Sequence, residues 1–133
     1  MRKQSSTNMT SKIEKVFKGE VYKYRVSKRE TEGTEIMKTR WGVIFSTNEL
    51  NKQKARLVII PLTSKKAERI YNHEVRTLVN NKSGKALLDQ IKTVNFSRLI
   101  EKKGDLTKEE MKAIYEKFVL MFDIDEHWEE LIK

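Results

Sequence analysis

The sequence predicts a mostly β fold that closes with a C-terminal helix. Short runs of β-branched, aromatic and other apolar residues recur along most of the chain, and one apolar stripe at helical spacing follows them near its end. The length of 133 residues is that of one domain with a core of its own. Several short strands and one C-terminal helix fit a small, strongly bent β-barrel of SH3-like size.

The strands are assigned in chain order. In residues 21–26 β-forming side chains alternate with basic ones, which predicts a half-buried first strand. Continuous apolar runs at 43–45 and 57–60 predict two more, and Pro61 is expected to end the second because proline cannot donate to a central ladder. Residues 47–50 can form one helical turn between them. The remaining assignments are a strand at 74–78, a turn at 80–84, a strand at 86–94 and a helix or turn at 96–100.

The C-terminal helix is predicted to begin at Thr107. Thr107 and Glu110 have the spacing of a capping box, and Leu106 and Met111 have that of a hydrophobic staple. The N-terminal segment is polar and basic, so it is expected to be a flexible arm, either a plain extension or a contact to nucleic acid. The predicted boundaries are an arm at 1–16, a folded domain at 17–122 and an acidic tail at 123–133, for which a second short helix is one option.

Composition narrows the classes of function. Lysine and arginine number 28 against 19 acidic residues, and the resulting charge of +9 predicts attraction to polyanions. Charge alone does not separate RNA from DNA, lipid, an acidic protein or a merely soluble surface. The absence of cysteine excludes disulfides, thiolate catalysis and cysteine-ligated zinc. No apolar stretch approaches the roughly 18 residues that span a bilayer, and no signal peptide is evident, so we expect a cytoplasmic protein without a membrane partner.

Three stretches share one arrangement, an apolar run beside a small polar cluster. They are residues 38–46, 57–64 and 87–94. If the runs are strands, the clusters lie at strand ends, where a rigid sheet can present chemistry. The clusters contain arginine, threonine, serine, aspartate, glutamine and lysine, which are not a metal-ligand set. Together they suit the binding of a phosphodiester.

These stretches and their order resemble the MazF/PemK family of toxin ribonucleases from type II toxin–antitoxin pairs. The resemblance runs from about residue 18 to residue 122. Its main pieces are residues 18–22, 33–35, 39–40, 61–64, 87–94 with 97–104, and 106–111. It implies a homodimer of SH3-like barrels that cleaves single-stranded RNA without a metal or other cofactor. It also implies an antitoxin whose acidic, disordered tail occupies the RNA groove.

The resemblance implies that Arg40 and Thr63 are the catalytic residues. Cleavage by the RNA's own 2′-hydroxyl requires removal of that proton, stabilisation of the phosphorane and protonation of the 5′-oxygen. The planar fork of Arg40 can hold two phosphate oxygens, and the hydroxyl of Thr63 can bond one or relay a proton. A surface salt bridge for Arg40 and a turn cap for Thr63 are the structural alternatives.

Eight further residues are expected to contact RNA. Asp89 can accept a proton or form a structural ion pair, and Gln90 can read a base edge. Trp41 replaces the proline usual in the family, and it either packs over the sheet or stacks on a base. His73 and His127 lack partners at metal spacing. The expected RNA-binding residues are Glu35, Lys38, Thr39, Ser64, Asp89, Gln90, Lys92 and Thr93.

Two rival functions remain open at this point. The same barrel could serve a non-catalytic toxin that inhibits a protein such as a topoisomerase, since a fold does not determine a function. A plain RNA-binding module would also satisfy the charge. The pairing of Arg40 with Thr63 favours the metal-independent endoribonuclease.

Overall fold

A computed structural model describes residues 13–26 and 38–132, except for the side chain of Glu126. Within these ranges the chain forms seven strands and three helices, with 3₁₀ turns at Leu88–Gln90 and Phe96–Arg98. The elements are β1 Glu20–Arg25, β2 Thr39–Ile44, α1 Asn48–Asn51, β3 Arg56–Thr63, β4 Glu74–Val79, β5 Lys82–Leu87, β6 Lys92–Asn95, β7 Leu99–Asp105, α2 Lys108–Met121 and α3 Ile124–Leu131. None of the described helices has the length and apolar character needed to cross a membrane.

The strands form one curled antiparallel sheet in which β3 is central. The sheet order is β4-β5-β3-β2-β1-β7, and β6 also pairs with β3. One edge of β3 carries β2, while the other edge carries β6 along Arg56–Ile59 and β5 at Leu62 and Thr63. The predicted mostly β architecture with a C-terminal helix is confirmed.

Apolar side chains fill both faces of the sheet. One cluster packs the sheet against α2 and includes Ile60, Ala86 and Ile114. The other includes Tyr22 and Tyr24, whose exposed fractions are 4% and 1%. These two tyrosines therefore pack in the core.

Pro61 does not end its strand, so that prediction was wrong. The N–H of Phe45 donates to the carbonyl of Val58 at 2.8 Å, and hydrogen-bonded pairs alternate along an antiparallel ladder. The pair Gly42–Pro61 is then a non-hydrogen-bonded one, and the nitrogen of Pro61 faces the other edge of β3. That edge is unpaired at Pro61 because the β6 ladder ends at Ile59 and the β5 ladder begins later. The missing N–H therefore costs no ladder hydrogen bond.

The strand predicted at 86–94 is two strands separated by the 3₁₀ turn Leu88–Gln90. The turn moves the chain from the β5 ladder to the β6 ladder on the same edge of β3, and the fully buried Leu88 anchors it. The strand β7 was likewise missed. Its first two residues were assigned to the helix or turn at 96–100, and its other residues were not assigned to any element.

The helical predictions are confirmed. Thr107 caps α2 and forms a reciprocal capping box with Glu110, with N···O distances of 3.0 and 2.8 Å. Thr47 caps α1, and the acidic tail forms α3. The predicted arm up to residue 12 and the residues 27–37, which include Glu35, lie outside the described residues.

Candidate active-site cleft

A cleft of about 270 Å³ opens where β2 begins and β3 ends. The β4–β5 hairpin forms its other wall. We call this space the cleft. Its lining residues are Thr39, Arg40, Trp41, Leu62, Thr63, Ser64, Lys65, Thr77, Val79, Lys82, Ser83 and Gly84.

The register of β2 and β3 brings Arg40 and Thr63 together. The ladder between β2 and β3 ends at the pair Trp41–Leu62, so Arg40 and Thr63 are the next residues outward on the two strands. Both of them line the cleft. The guanidinium and the hydroxyl therefore reach one region at the edge of the cleft.

Both side chains have groups available for a ligand. Arg40 is exposed and forms no ion pair with the acidic side chains of the described ranges. The hydroxyl oxygen of Thr63 accepts a hydrogen bond from the N–H of Lys65 at 3.1 Å, so the turn-cap alternative is correct. Its own proton still remains to be donated, because a hydroxyl is both a donor and an acceptor. Thr63 can cap the turn and bond a phosphate oxygen at the same time.

A close backbone approach fixes the position of Thr63. A Cβ at Gly84 of β5 would lie 2.8 Å from the carbonyl oxygen of Thr63 and 3.5 Å from the hydroxyl of Thr77. Glycine at this position lets β5 lie against the end of β3. The wall of the cleft is thus held by main chain, which moves less than a long side chain.

A half-buried ion pair supports the same strand end. Lys85, which pairs with Thr63 across the ladder, places its ammonium 2.9 Å from a carboxylate oxygen of Glu74 and 2.9 Å from the carbonyl of Arg69. Burial by itself would raise the pKa of Glu74, but hydrogen bonds from Lys85 and from the N–H of Tyr71 hold it below its usual 4.5. The charge of Lys85 is therefore satisfied inside the protein.

The lining of the cleft is cationic. Arg40, Lys65 and Lys82 contribute positive charges, and no aspartate or glutamate of the described ranges belongs to the lining. A concave surface with one sign of charge concentrates counter-ions, and a polyanion is the ligand that such a surface favours.

Trp41 joins the cleft to the core. Its ring packs partly against the cluster under α2 and also lines the cleft. The ammonium of Lys82 lies 5.0 Å from the ring centroid and that of Lys103 lies 5.5 Å away. Lys103 is also paired with Glu101 at 2.8 Å, and this bond lowers the pKa of that exposed carboxyl. The packing alternative is correct, yet part of the ring still faces the cleft.

The structure divides the other sequence-predicted residues into two groups. Thr39 and Ser64 line the cleft, and Lys38 is exposed one residue before Thr39. The second group lies farther along the same edge of β3 and does not line the cleft. It consists of the exposed Asp89, Gln90 and Thr93 and the partly buried Lys92.

Several lining residues were not found from the sequence. Except for Lys65, which follows β3, they come from the β4–β5 hairpin, whose turn at Asn80 and Asn81 has φ of 53° and 64°. Two consecutive residues with positive φ are the signature of a tight hairpin, so the asparagine pair was the signal available. Among the described residues there is no group of three or more histidine, aspartate or glutamate side chains able to hold a metal ion. The missed lining residues are Lys65, Thr77, Val79, Lys82, Ser83 and Gly84.

Comparison with known proteins adds a family and a fold. The sequence model of the family described as PemK-like, MazF-like toxin of type II toxin–antitoxin system matches residues 17–122. No curated protein matches the chain.

Three solved structures illustrate the shared fold. A mycobacterial endoribonuclease in complex with its cognate antitoxin is 22% identical, with a TM-score of 0.64 over 82% of this chain and 96% of that one. MazF from Deinococcus radiodurans is 18% identical, with a TM-score of 0.66 over 82% and 97%. The Mycobacterium tuberculosis toxin MazF-mt6 is 17% identical, with a TM-score of 0.62 over 78% and 96%. At these identities the likeness shows the fold.

Proposed function

We propose that this chain, which belongs to the family of PemK-like, MazF-like toxins of type II toxin–antitoxin systems, is a metal-independent endoribonuclease that cleaves single-stranded mRNA at the cleft. Such cleavage would inhibit translation and growth, and its place of action would be the cytoplasm. The observation that supports the proposal is the cationic cleft that Arg40 and Thr63 both line, just beyond the last pair of the β2–β3 ladder. The fold is also shared with proteins described as endoribonucleases.

The proposed reaction uses the RNA's own 2′-hydroxyl as the nucleophile. The 2′-hydroxyl gives its proton to solvent as its oxygen bonds to phosphorus, and the 5′-oxygen takes a proton from solvent as its own bond to phosphorus breaks. The products are a 2′,3′-cyclic phosphate and a 5′-hydroxyl end. Negative charge grows on the equatorial oxygens in the transition state, and Arg40 can hold two of them at once. The hydroxyl of Thr63 donates a hydrogen bond to one such oxygen. Asp89 does not line the cleft, so we propose no proton transfer through it.

The remaining site residues would hold the RNA backbone. Thr39 and Ser64 lie beside the catalytic pair and can donate to neighbouring phosphate oxygens. Lys92 faces Ile59, four residues before Thr63, which is about 13 Å along the strand. A few linked nucleotides span that distance, so the RNA leaving the cleft can lie along β6. The residues proposed for this path are Lys38, Gln90, Lys92 and Thr93, and Glu35 stays a prediction.

A partner with an acidic segment is the proposed antitoxin. The charged residues that the described part of the chain contributes to the lining are all positive, so a carboxylate-rich segment would compete with RNA for the same surface. A structure of the same fold contains its cognate antitoxin. We further propose that the toxin is a homodimer, as the sequence resemblance implies.

A cleavage assay in EDTA tests the proposal. The purified protein is incubated with a long single-stranded RNA, and the new ends are mapped for cyclic phosphate and 5′-hydroxyl groups. Arg40→Ala should lower the rate about 10²- to 10³-fold, as the loss of one oxyanion donor does. Lys112→Ala is the charge-matched control, because Lys112 is exposed on α2 away from the cleft.

Three outcomes would contradict the proposal. An Arg40→Ala variant that cuts at the wild-type rate would remove Arg40 from the site. Cleavage of a substrate with deoxyribose before the scissile bond would refute the 2′-hydroxyl mechanism. RNA left intact by the wild-type protein would favour a toxin that inhibits a protein target.

A further inference from the structure

We propose that Trp41 is a stacking platform for one nucleobase of the RNA and that Lys82 covers this platform until the base arrives. The inference rests on the proposed function, since it takes single-stranded RNA as the ligand. It adds a base-binding subsite beside the phosphate site of Arg40 and Thr63.

The ring of Trp41 is held in a fixed position. Its strand pairs on both sides, with Lys23 on β1 and with Leu62 on β3, and part of the ring packs against the core under α2. The same ring lines the cleft. A side chain anchored in this way loses little conformational freedom on binding, so its stacking contributes almost fully to affinity.

Lys82 is the group that a base would displace. The ammonium of Lys82 lies over the ring of Trp41, 5.0 Å from the ring centroid. Lys103 approaches the same ring but is also held by Glu101. An exposed cation–π contact is worth about two- to fivefold in an equilibrium constant, whereas stacking of a base on an aromatic ring is worth about 5- to 150-fold. The exchange therefore favours the base.

The displaced lysine stays useful. Lys82 is exposed and lines the cleft, so its ammonium can turn from the ring to a phosphate of the RNA that displaced it. A lysine that neutralises one phosphate of a single strand changes the slope of log K against log salt by about 0.7. Lys82→Met should reduce the salt slope by that amount and should leave the stacking intact.

The position of Trp41 in the strand separates the two subsites. Arg40 and Thr63 project from one face, and Trp41 follows Arg40 by one residue and projects from the other. The base and the phosphate are therefore held by neighbouring residues on different faces of the strand end. A flat ring offers no hydrogen-bond pattern, so this subsite requires a base at one position without specifying which base.

The experiment measures binding in the absence of cleavage. The probe is a short 2′-fluoro RNA, which lacks the nucleophile. Its sequence spans the mapped cleavage site; if the wild-type protein cuts no RNA, a probe of random sequence is used instead. Trp128→Phe leaves Trp41 as the single tryptophan of a chain that has two. Stacking should quench its fluorescence on titration. An abasic residue, moved along the probe, should weaken binding about 5- to 150-fold at one position only.

A double-mutant cycle identifies the group that binds the base. Trp41→Leu keeps an apolar side chain against the core without a π surface, and Trp41→Phe keeps a smaller π surface. In Trp41→Leu the penalty of the abasic residue should disappear, while Trp41→Phe should keep part of it. An unchanged penalty in Trp41→Leu, or a probe that binds without quenching Trp41, overturns the proposal. Quenching with no cleavage of natural RNA leaves the platform standing and refutes the endoribonuclease.

Discussion

Gly84→Ala should separate the geometry of the cleft from the stability of the fold. The added Cβ would lie 2.8 Å from the carbonyl oxygen of Thr63, a backbone atom that cannot rotate away. The strands β3 and β5 must therefore move apart by several tenths of an ångström. Overpacking of this kind costs about 1–3 kcal/mol of unfolding free energy. A displacement of 1 Å at a reacting group costs about 10²-fold in rate, so the smaller shift at Thr63 should lower cleavage about 10- to 100-fold.

The control is a variant with a similar loss of stability outside the cleft. Val94 is buried on β6 and pairs with Leu57 at the far end of β3, and Val94→Ala should cost about 2 kcal/mol. Urea unfolding gives the stabilities, and cleavage is measured at a temperature at which both variants are folded. Gly84→Ala should lose activity and Val94→Ala should keep it within about twofold. Equal losses, or full activity in Gly84→Ala, would refute the reasoning.

Three further predictions concern stability. Burial, with the nearby carboxylate of Glu20 as a second cause, raises the pKa of Tyr22 from 10.0 to about 12. This shift corresponds to about 3 kcal/mol of unfolding free energy, which is present below pH 10 and is lost as the pH rises through 12. In Tyr22→Phe, the unfolding free energy measured from pH 8 to 12 should lack this loss. Lys85→Met should cost about 3–5 kcal/mol because it leaves the carboxylate of Glu74 unpaired, and adding Glu74→Gln should recover part of that cost in urea titrations. The lowered pKa of Glu74 means that its own contribution is present above pH 4.5 and disappears as pH falls through the lower value. Thr107→Ala should lower the unfolding free energy by about 1 kcal/mol through the lost cap, measured by urea unfolding with the exposed Lys112→Ala as the reference.

Local signals predicted the elements whose cause is local. The capping box at Thr107 and Glu110 fixed the start of α2 because both hydrogen bonds join residues three apart. The alternating segment that became β4 and the helical turn at residues 47–50 were predicted for the same reason. Such elements depend on side chains that are close in sequence.

The errors have a long-range cause. The rule that proline lacks a donor is correct for Pro61, but its consequence depends on whether a strand lies at that edge, and this is set by the place where β6 ends and β5 begins. The apolar residues at both ends of the segment 86–94 concealed the same change of partner, because Leu88 is buried in the turn as fully as it would be in a strand. No local pattern reports which ladder a buried residue joins.

The candidate site follows the same division. The resemblance selected Arg40 and Thr63, and their positions at the start of one strand and the end of another agreed with a shared edge. Their approach at the cleft depends on how two segments that are distant in sequence pair with each other, which could not be predicted from the sequence alone. Lys82 and Gly84 were missed because the β4–β5 hairpin reaches the cleft only through tertiary contacts.

The change of partner along β3 also explains where the cleft is sensitive. Only Leu62 and Thr63 pair with β5, so a ladder of two residue pairs holds the proposed catalytic hydroxyl on that side. The close approach at Gly84 and the ion pair of Lys85 lie on the β5 side of this short ladder. Substitutions in the β4–β5 hairpin should therefore change the rate of cleavage more than equally destabilising substitutions in β6. The β6 ladder is longer and ends at Ile59, four residues before Thr63, so a substitution in β6 should displace Thr63 less.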